Sequence, residues 1–178
     1  MKLLSHPQTC ILHKTSFKED ISCYLLHQFL VKNKMVSIVQ VGGMGGKPFN
    51  FSGKETGYWL KKIQVWEGDS QIKAVKVWLT DNEPKEFGVP DGSPKEFTFE
   101  KDEKFTSLSL WPNEDDTHLG AIKFTTSSFR EFHAKVRLTQ LQPEVQVDVE
   151  TGKCIGIQGR YGTGIDRFGF ILLKKNSA

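Results

Sequence analysis

The chain has 178 residues, of which 38% are hydrophobic and 25% charged, and a formal net charge of +3. That length suits one domain with a proper core and no need of disulfide staples. Lys2, Lys14, Lys18, Lys32 and Lys34, set against Glu19 and Asp20, account for the whole excess charge. The remainder is neutral, which argues against nucleic acid as a partner.

Residues 1–34 contain three of the five histidines and neither glycine nor tryptophan; all 16 glycines and all four tryptophans follow. This shift sets a boundary, with 1–34 as a weakly ordered N-terminal extension and 35–178 as the folded domain. Met35 opens the β-rich sequence and is a candidate translation start, so 1–34 also reads as an upstream piece of a gene model. Within 18–31, Ile21, Tyr24, Leu25, Gln28 and Phe29 fall on or near one face of a short amphipathic helix. The apolar stretch 21–31 is too short for the ~18–20 residues of a membrane span, so no transmembrane segment is expected. Lys18, Glu19 and Asp20 precede it, a poor match to a signal peptide. A cytoplasmic location or unconventional release is favoured over classical secretion.

From residue 35 onward the hydrophobic period is two. Ile63–Trp66, Ile72–Leu79, Phe105–Trp111, Leu119–Phe124, Cys154–Gln158 and Phe168–Leu173 all alternate. Turn chemistry separates them, as in Glu67-Gly68-Asp69-Ser70 and Val89-Pro90-Asp91-Gly92-Ser93. The pattern predicts an all-β, antiparallel, closed or prism-like domain with no helix after residue 35. Three strands end on tryptophan, at Trp66, Trp78 and Trp111, a faint echo of three similar units. Asn50-Phe51-Ser52 fits an N-glycosylation sequon but falls in an expected strand, which favours a chance match. Cys10, Cys23 and Cys154 form neither a disulfide framework nor a zinc site, and Cys154 reads as a small buried hydrophobe.

Catalytic motifs are absent. There is no H-E-x-x-H and no G-x-S-x-G, and Gly45-Gly46-Lys47 is followed by Pro48 where a phosphate loop needs Ser or Thr. His118 and His133 read as isolated structural or surface residues. The acidic pairs Asp102-Glu103 and Asp115-Asp116 read as solvated loops, because adjacent strand residues point to opposite faces. The chain is not expected to be an enzyme, and no metal or cofactor is called for.

Two glycine-framed strings carry the functional information: Gly42-Gly43-Met44-Gly45-Gly46, and Gly162-Thr163-Gly164-Ile165-Asp166, a G-x-x-x-D string. Glycine lets a ligand reach main-chain N–H groups that a Cβ would shield. A carboxylate beside bare amides offers acceptors and donors in one small patch, which suits a polyhydroxyl ligand.

These strings, with Leu60-Lys61-Lys62-Ile63, Phe87-Gly88, Phe105-Thr106-Ser107-Leu108, Leu119–Phe124 and Arg167-Phe168-Gly169, resemble the jacalin-related lectin family over about residues 36–174. Within it, the chain is most similar to the lectin domain of vertebrate natterin-like (aerolysin-like) proteins; the pore-forming module of those proteins is not carried over. The resemblance implies a β-prism I fold of three four-stranded antiparallel sheets with pseudo-threefold symmetry. It also implies a mannose- or glucose-type site formed by Gly45, Gly46, Gly162, Thr163, Gly164, Ile165 and Asp166. In that site Asp166 accepts from two sugar hydroxyls, the amides of Gly164, Ile165 and Gly46 donate, Gly162 shapes the turn, and Tyr161 adds a stacking face. The glycine loop lies well inside an uncut chain, which in this family goes with mannose and high-mannose glycans. A homodimer would present two sites. The alternative is a non-catalytic protein-interaction module on the same prism, with a degenerate sugar site.

Overall fold

The computed structural model describes residues 35–80 and 83–175. The expected extension at 1–34, with its amphipathic helix, lies outside the described residues. The chain opens with β1 (Val36–Ile38), β2 (Val41–Gly42) and β3 (Lys47–Ser52). A hairpin follows, β4 (Leu60–Glu67) and β5 (Ile72–Leu79), then β6 (Lys85–Gly88) and β7 (Lys95–Thr98). A second hairpin, β8 (Phe105–Pro112) and β9 (Leu119–Thr126), leads to β10 (Glu131–Lys135) and β11 (Val145–Gln146). A third, β12 (Cys154–Tyr161) and β13 (Ile165–Leu173), closes the series. Every strand expected from alternation is present, and no described residue is helical.

Each hairpin is the centre of one antiparallel sheet. The orders are β6-β5-β4-β7 and β10-β9-β8-β11, and in the third sheet β12 and β13 are flanked by β3 and β1. β2 also pairs with β13, so this outer strand is split in two. The third unit is therefore completed by the N-terminal strands, with Val36 opposite Leu173. The symmetry reaches the irregularities. Register shifts fall at Leu60/Lys62, Phe105/Ser107 and Cys154/Gly156 near one end of the hairpins. They recur at Trp66/Glu67, Trp111/Pro112 and Arg160/Tyr161 near the other. Trp66 and Trp111 thus hold equivalent positions, and Arg160 holds the third; Trp78, on the returning strand, is not part of that set. The architecture is a β-prism.

The inward rows meet on the axis. Ile63, Val65, Ile72, Val75, Val77, Leu110, Ile122, Phe124, Ile157 and Phe168 are fully buried, as alternation on strands with one covered face requires. Cys154 is buried among them, and loss of solvation pushes its thiol pKa up to about 12. It is a packing residue, not a nucleophile.

Glu103 departs from the solvated-loop expectation, whereas Asp102, Asp115 and Asp116 are exposed as expected. Its side chain is fully covered and receives Arg130 Nε at 3.1 Å, a second bond from Arg130 Nη2, the Thr126 hydroxyl, and the Glu100 amide at 2.7 Å. Arg130 also donates to the Thr98 carbonyl at 2.9 Å, tying the β7–β8 connection to the β9–β10 turn. Burial alone would raise the Glu103 pKa, but the hydrogen bonds from Arg130, Thr126 and Glu100 outweigh it and hold the carboxyl below its ordinary value. The folded protein therefore favours the ionised form more than the unfolded chain does. That stabilisation is complete above the ordinary glutamate pKa and fades as pH falls through the lowered one. Glu103→Gln should cost about 1.5–3 kcal/mol at pH 7, the range for bonds to a charged group. Denaturant melts should show this difference shrinking at pH 3.

Candidate carbohydrate site

All three hairpin turns gather at one end of the prism. Asn113 Nδ2 donates to the Ser70 carbonyl at 3.2 Å, joining the second turn to the first. Gly164 packs so closely on the first turn that an added Cβ would lie 2.8 Å from Gln71 Cδ. At Gly43 an added Cβ would lie 2.7 Å from the Thr117 carbonyl oxygen, so the glycine loop between β2 and β3 rests on the second turn. The first residues of the returning strands, Ile72, Leu119 and Ile165, are all fully buried and plug this end of the axis.

Asp166 stands one residue past that plug. Its counterparts in the other two units, one residue past Ile72 and Leu119, are Lys73 and Gly120. Only one unit carries the carboxylate. Asp166 comes from β13, yet its oxygens lie under the glycine loop. An added Cβ would sit 2.5 Å from Oδ1 at Gly45, 2.5 Å from Oδ2 at Gly46, and 3.4 Å from Oδ2 at Gly162. Gly46 also has φ +61, a conformation that favours glycine, so both space and backbone exclude a side chain there. Asp166 is 8% exposed, and Oδ2 is covered without a hydrogen-bond partner. Burying an unpartnered carboxylate oxygen is costly, so its retention calls for a compensating role.

The seven residues expected at the site divide into two groups. Gly45, Gly46, Gly162 and Thr163 are exposed on the rim, whereas Gly164, Ile165 and Asp166 are buried. The Gly162 amide donates to the Gly164 carbonyl at 2.9 Å, which tightens the turn. The Tyr161 ring is half-buried and packs against the core. It lies edge-on to Phe87 and Phe49, with centroids 5.4 and 6.0 Å away.

Two neighbours were not expected. His118, read as isolated, places Nε2 3.5 Å from Asp166 Oδ1, and its Nδ1 meets the Thr117 hydroxyl at 2.9 Å. Asn113 Oδ1 holds this turn by accepting from the amides of Thr117 and His118, each at 3.0 Å. Arg160 donates from Nε to the Gly45 carbonyl at 2.7 Å and from Nη2 to the Gly46 carbonyl at 2.8 Å. The equivalent Trp66 indole donates to the Gly92 carbonyl at 3.2 Å, in the matching loop of its own unit. The position therefore pins the crossover loop in two units, and an arginine in the third grips the glycine loop twice. No local signal marks His118, and the arginine in place of a tryptophan follows from the equivalence of the three hairpins. Asp166 and His118 are two potential metal donors, but among the described residues no group of three forms.

A family profile described as a jacalin-like lectin domain matches residues 38–171. The chain belongs to the jacalin-like lectin family. Members of this family are generally non-catalytic, and the fold suggests carbohydrate binding. A solved lamprey immune protein is 45% identical at TM-score 0.78, covering 80% of this chain and 46% of its own. The chain thus spans about half the length of that protein. A Malaysian banana lectin is 23% identical at TM-score 0.63, covering 80% and 100% respectively. A mannose binding jacalin related lectin from Ananas comosus is 17% identical at TM-score 0.58, covering 78% and 97%. These last two establish the fold alone. No curated protein matches the chain. Among the described residues, no helix is long and apolar enough to cross a membrane.

Proposed function

We propose that this lectin domain binds one mannose- or glucose-type unit of a high-mannose glycan in the cleft between the glycine loop and the 162–166 turn. Asp166 accepts from sugar hydroxyls, and the amides of Gly46 and Gly164 donate to sugar oxygens; Ile165, expected as a third donor, is fully buried and has no surface to offer. Gly162 and Thr163 form the rim. His118, facing Oδ1, keeps the carboxylate oriented. The observation that carries the reading is the Asp166 carboxylate brought against Gly45, Gly46 and Gly162, with Oδ2 unpartnered within the protein. The binding is non-catalytic.

Charge-assisted hydrogen bonds contribute about 1.5–3 kcal/mol each, and a few over a small contact yield roughly millimolar affinity, near −4 kcal/mol. With a carboxylate at this position in one unit of three, the described residues hold one such site. A dimer presenting two cleft sites would gain about 10²–10⁴-fold on branched glycans where geometry permits. On a glycan array the whole chain should select mannose-terminated branches, and soluble mannose should displace it. Binding that mannose does not displace would instead identify a protein-interaction module.

A further inference from the structure

The outer face of the third sheet, beside the cleft, carries charges that recognition of a neutral sugar does not use. β12 and β13 set Arg160 directly opposite Arg167, so both side chains leave the same face of the sheet. That face is the outer one, because Asp166 and Phe168 on either side of Arg167 are buried. Like charges directly opposite each other on a sheet destabilise it, and breaks in such local rules concentrate at functional sites.

Neither arginine has a carboxylate partner among the described residues; the ion pairs all lie elsewhere. The open groove they border, about 570 Å³, includes Gln40, Met44, Asn50 and Gln158 and no acidic residue. One of its side-chain acceptors is engaged within the groove. Asn50 Nδ2 donates to Gln158 Oε1 at 3.1 Å, leaving the Gln158 NH₂ as a donor. Arg160 uses Nε and Nη2 on the loop carbonyls, with Nη1 left over. Arg167 Nη1 reaches only the Met44 sulfur at 2.7 Å, a weak acceptor, and its Nε is buried without a partner. Arg160 Nη1, the outer nitrogens of Arg167 and the Gln158 amide, with no carboxylate beside them, suit an oxyanion.

We propose that this groove is an anionic subsite for a sulfate, phosphate or carboxylate group on the sugar unit adjacent to the one held at Asp166. The assignment rests on the mannose reading of the cleft and narrows the ligand class to acidic glycans. Titration calorimetry on the whole chain tests it with mannobiose, mannobiose bearing a sulfate or phosphate ester on its reducing-end unit, and mannosyl-glucuronic acid. At least one acidic disaccharide should bind about tenfold more tightly than mannobiose, the effect of one charge-assisted bond. That gain should shrink in 0.5 M salt.

Arg167→Gln should remove the gain and keep mannobiose binding; Arg167→Lys, retaining charge without the fork, should keep part of it. Equal affinity for all the disaccharides, or a gain that survives in Arg167→Gln, overturns the proposal. So does inorganic sulfate, or a phosphatidylserine vesicle, bound as tightly as the acidic disaccharides. Tight acidic binding without mannobiose binding, unaffected by Asp166→Ala, would leave the groove standing and remove the mannose reading instead.

Discussion

Asp166→Ala should yield a folded protein that mannose resin no longer retains. Two charge-assisted bonds at about 1.5–3 kcal/mol each amount to most or all of the roughly −4 kcal/mol behind millimolar affinity, so no residual binding should be measurable. Stability should hold, because no internal hydrogen bond to Oδ2 is lost and the nearest partner of Oδ1 is His118 at 3.5 Å. Removing a covered, unpartnered oxygen relieves a desolvation cost. The thermal midpoint should therefore be unchanged or slightly higher. Retention equal to the wild type would refute the placement of the sugar; a lost cooperative melt would show that the carboxylate has a structural role instead.

Phe124→Ala should be the most damaging single change to the fold. Phe124 is fully buried at the centre of rings from two of the three units. Its centroid lies 4.9 Å from Phe105, 5.0 Å from Phe132, 5.1 Å from Phe97 and 5.7 Å from Phe99. Truncating a buried phenylalanine costs about 3–5 kcal/mol through lost transfer energy and the cavity left behind. Against a total stability of about 5–15 kcal/mol, that is a large fraction, and the melting midpoint should fall by roughly 10–15 °C. Leu138→Ala, at a residue 77% exposed, should change it little. A midpoint shift under 3 °C for Phe124→Ala would show that the aromatic cluster repacks around the gap.

Strand existence was legible because it is a local signal. A half-buried strand must alternate, so Ile72–Leu79 could be outlined residue for residue, and it is β5. The glycine strings were equally legible, since bare backbone near a ligand needs residues without Cβ. Arg130 covering Glu103, His118 facing Asp166 and Arg160 gripping residues more than a hundred positions away left no such trace. Each depends on which turn lands beside which.

By itself the sequence determined an all-β chain with two glycine loops and one usable carboxylate. Only the tertiary structure decided that the N-terminal strands complete the last sheet and that one unit of three carries an acid one residue past the buried plug. It alone set two arginines face to face beside that acid. The physical reason is range: periodicity reports how a residue meets its own strand's two faces, whereas a site closed by turns from separate hairpins is defined by register between segments distant in the chain.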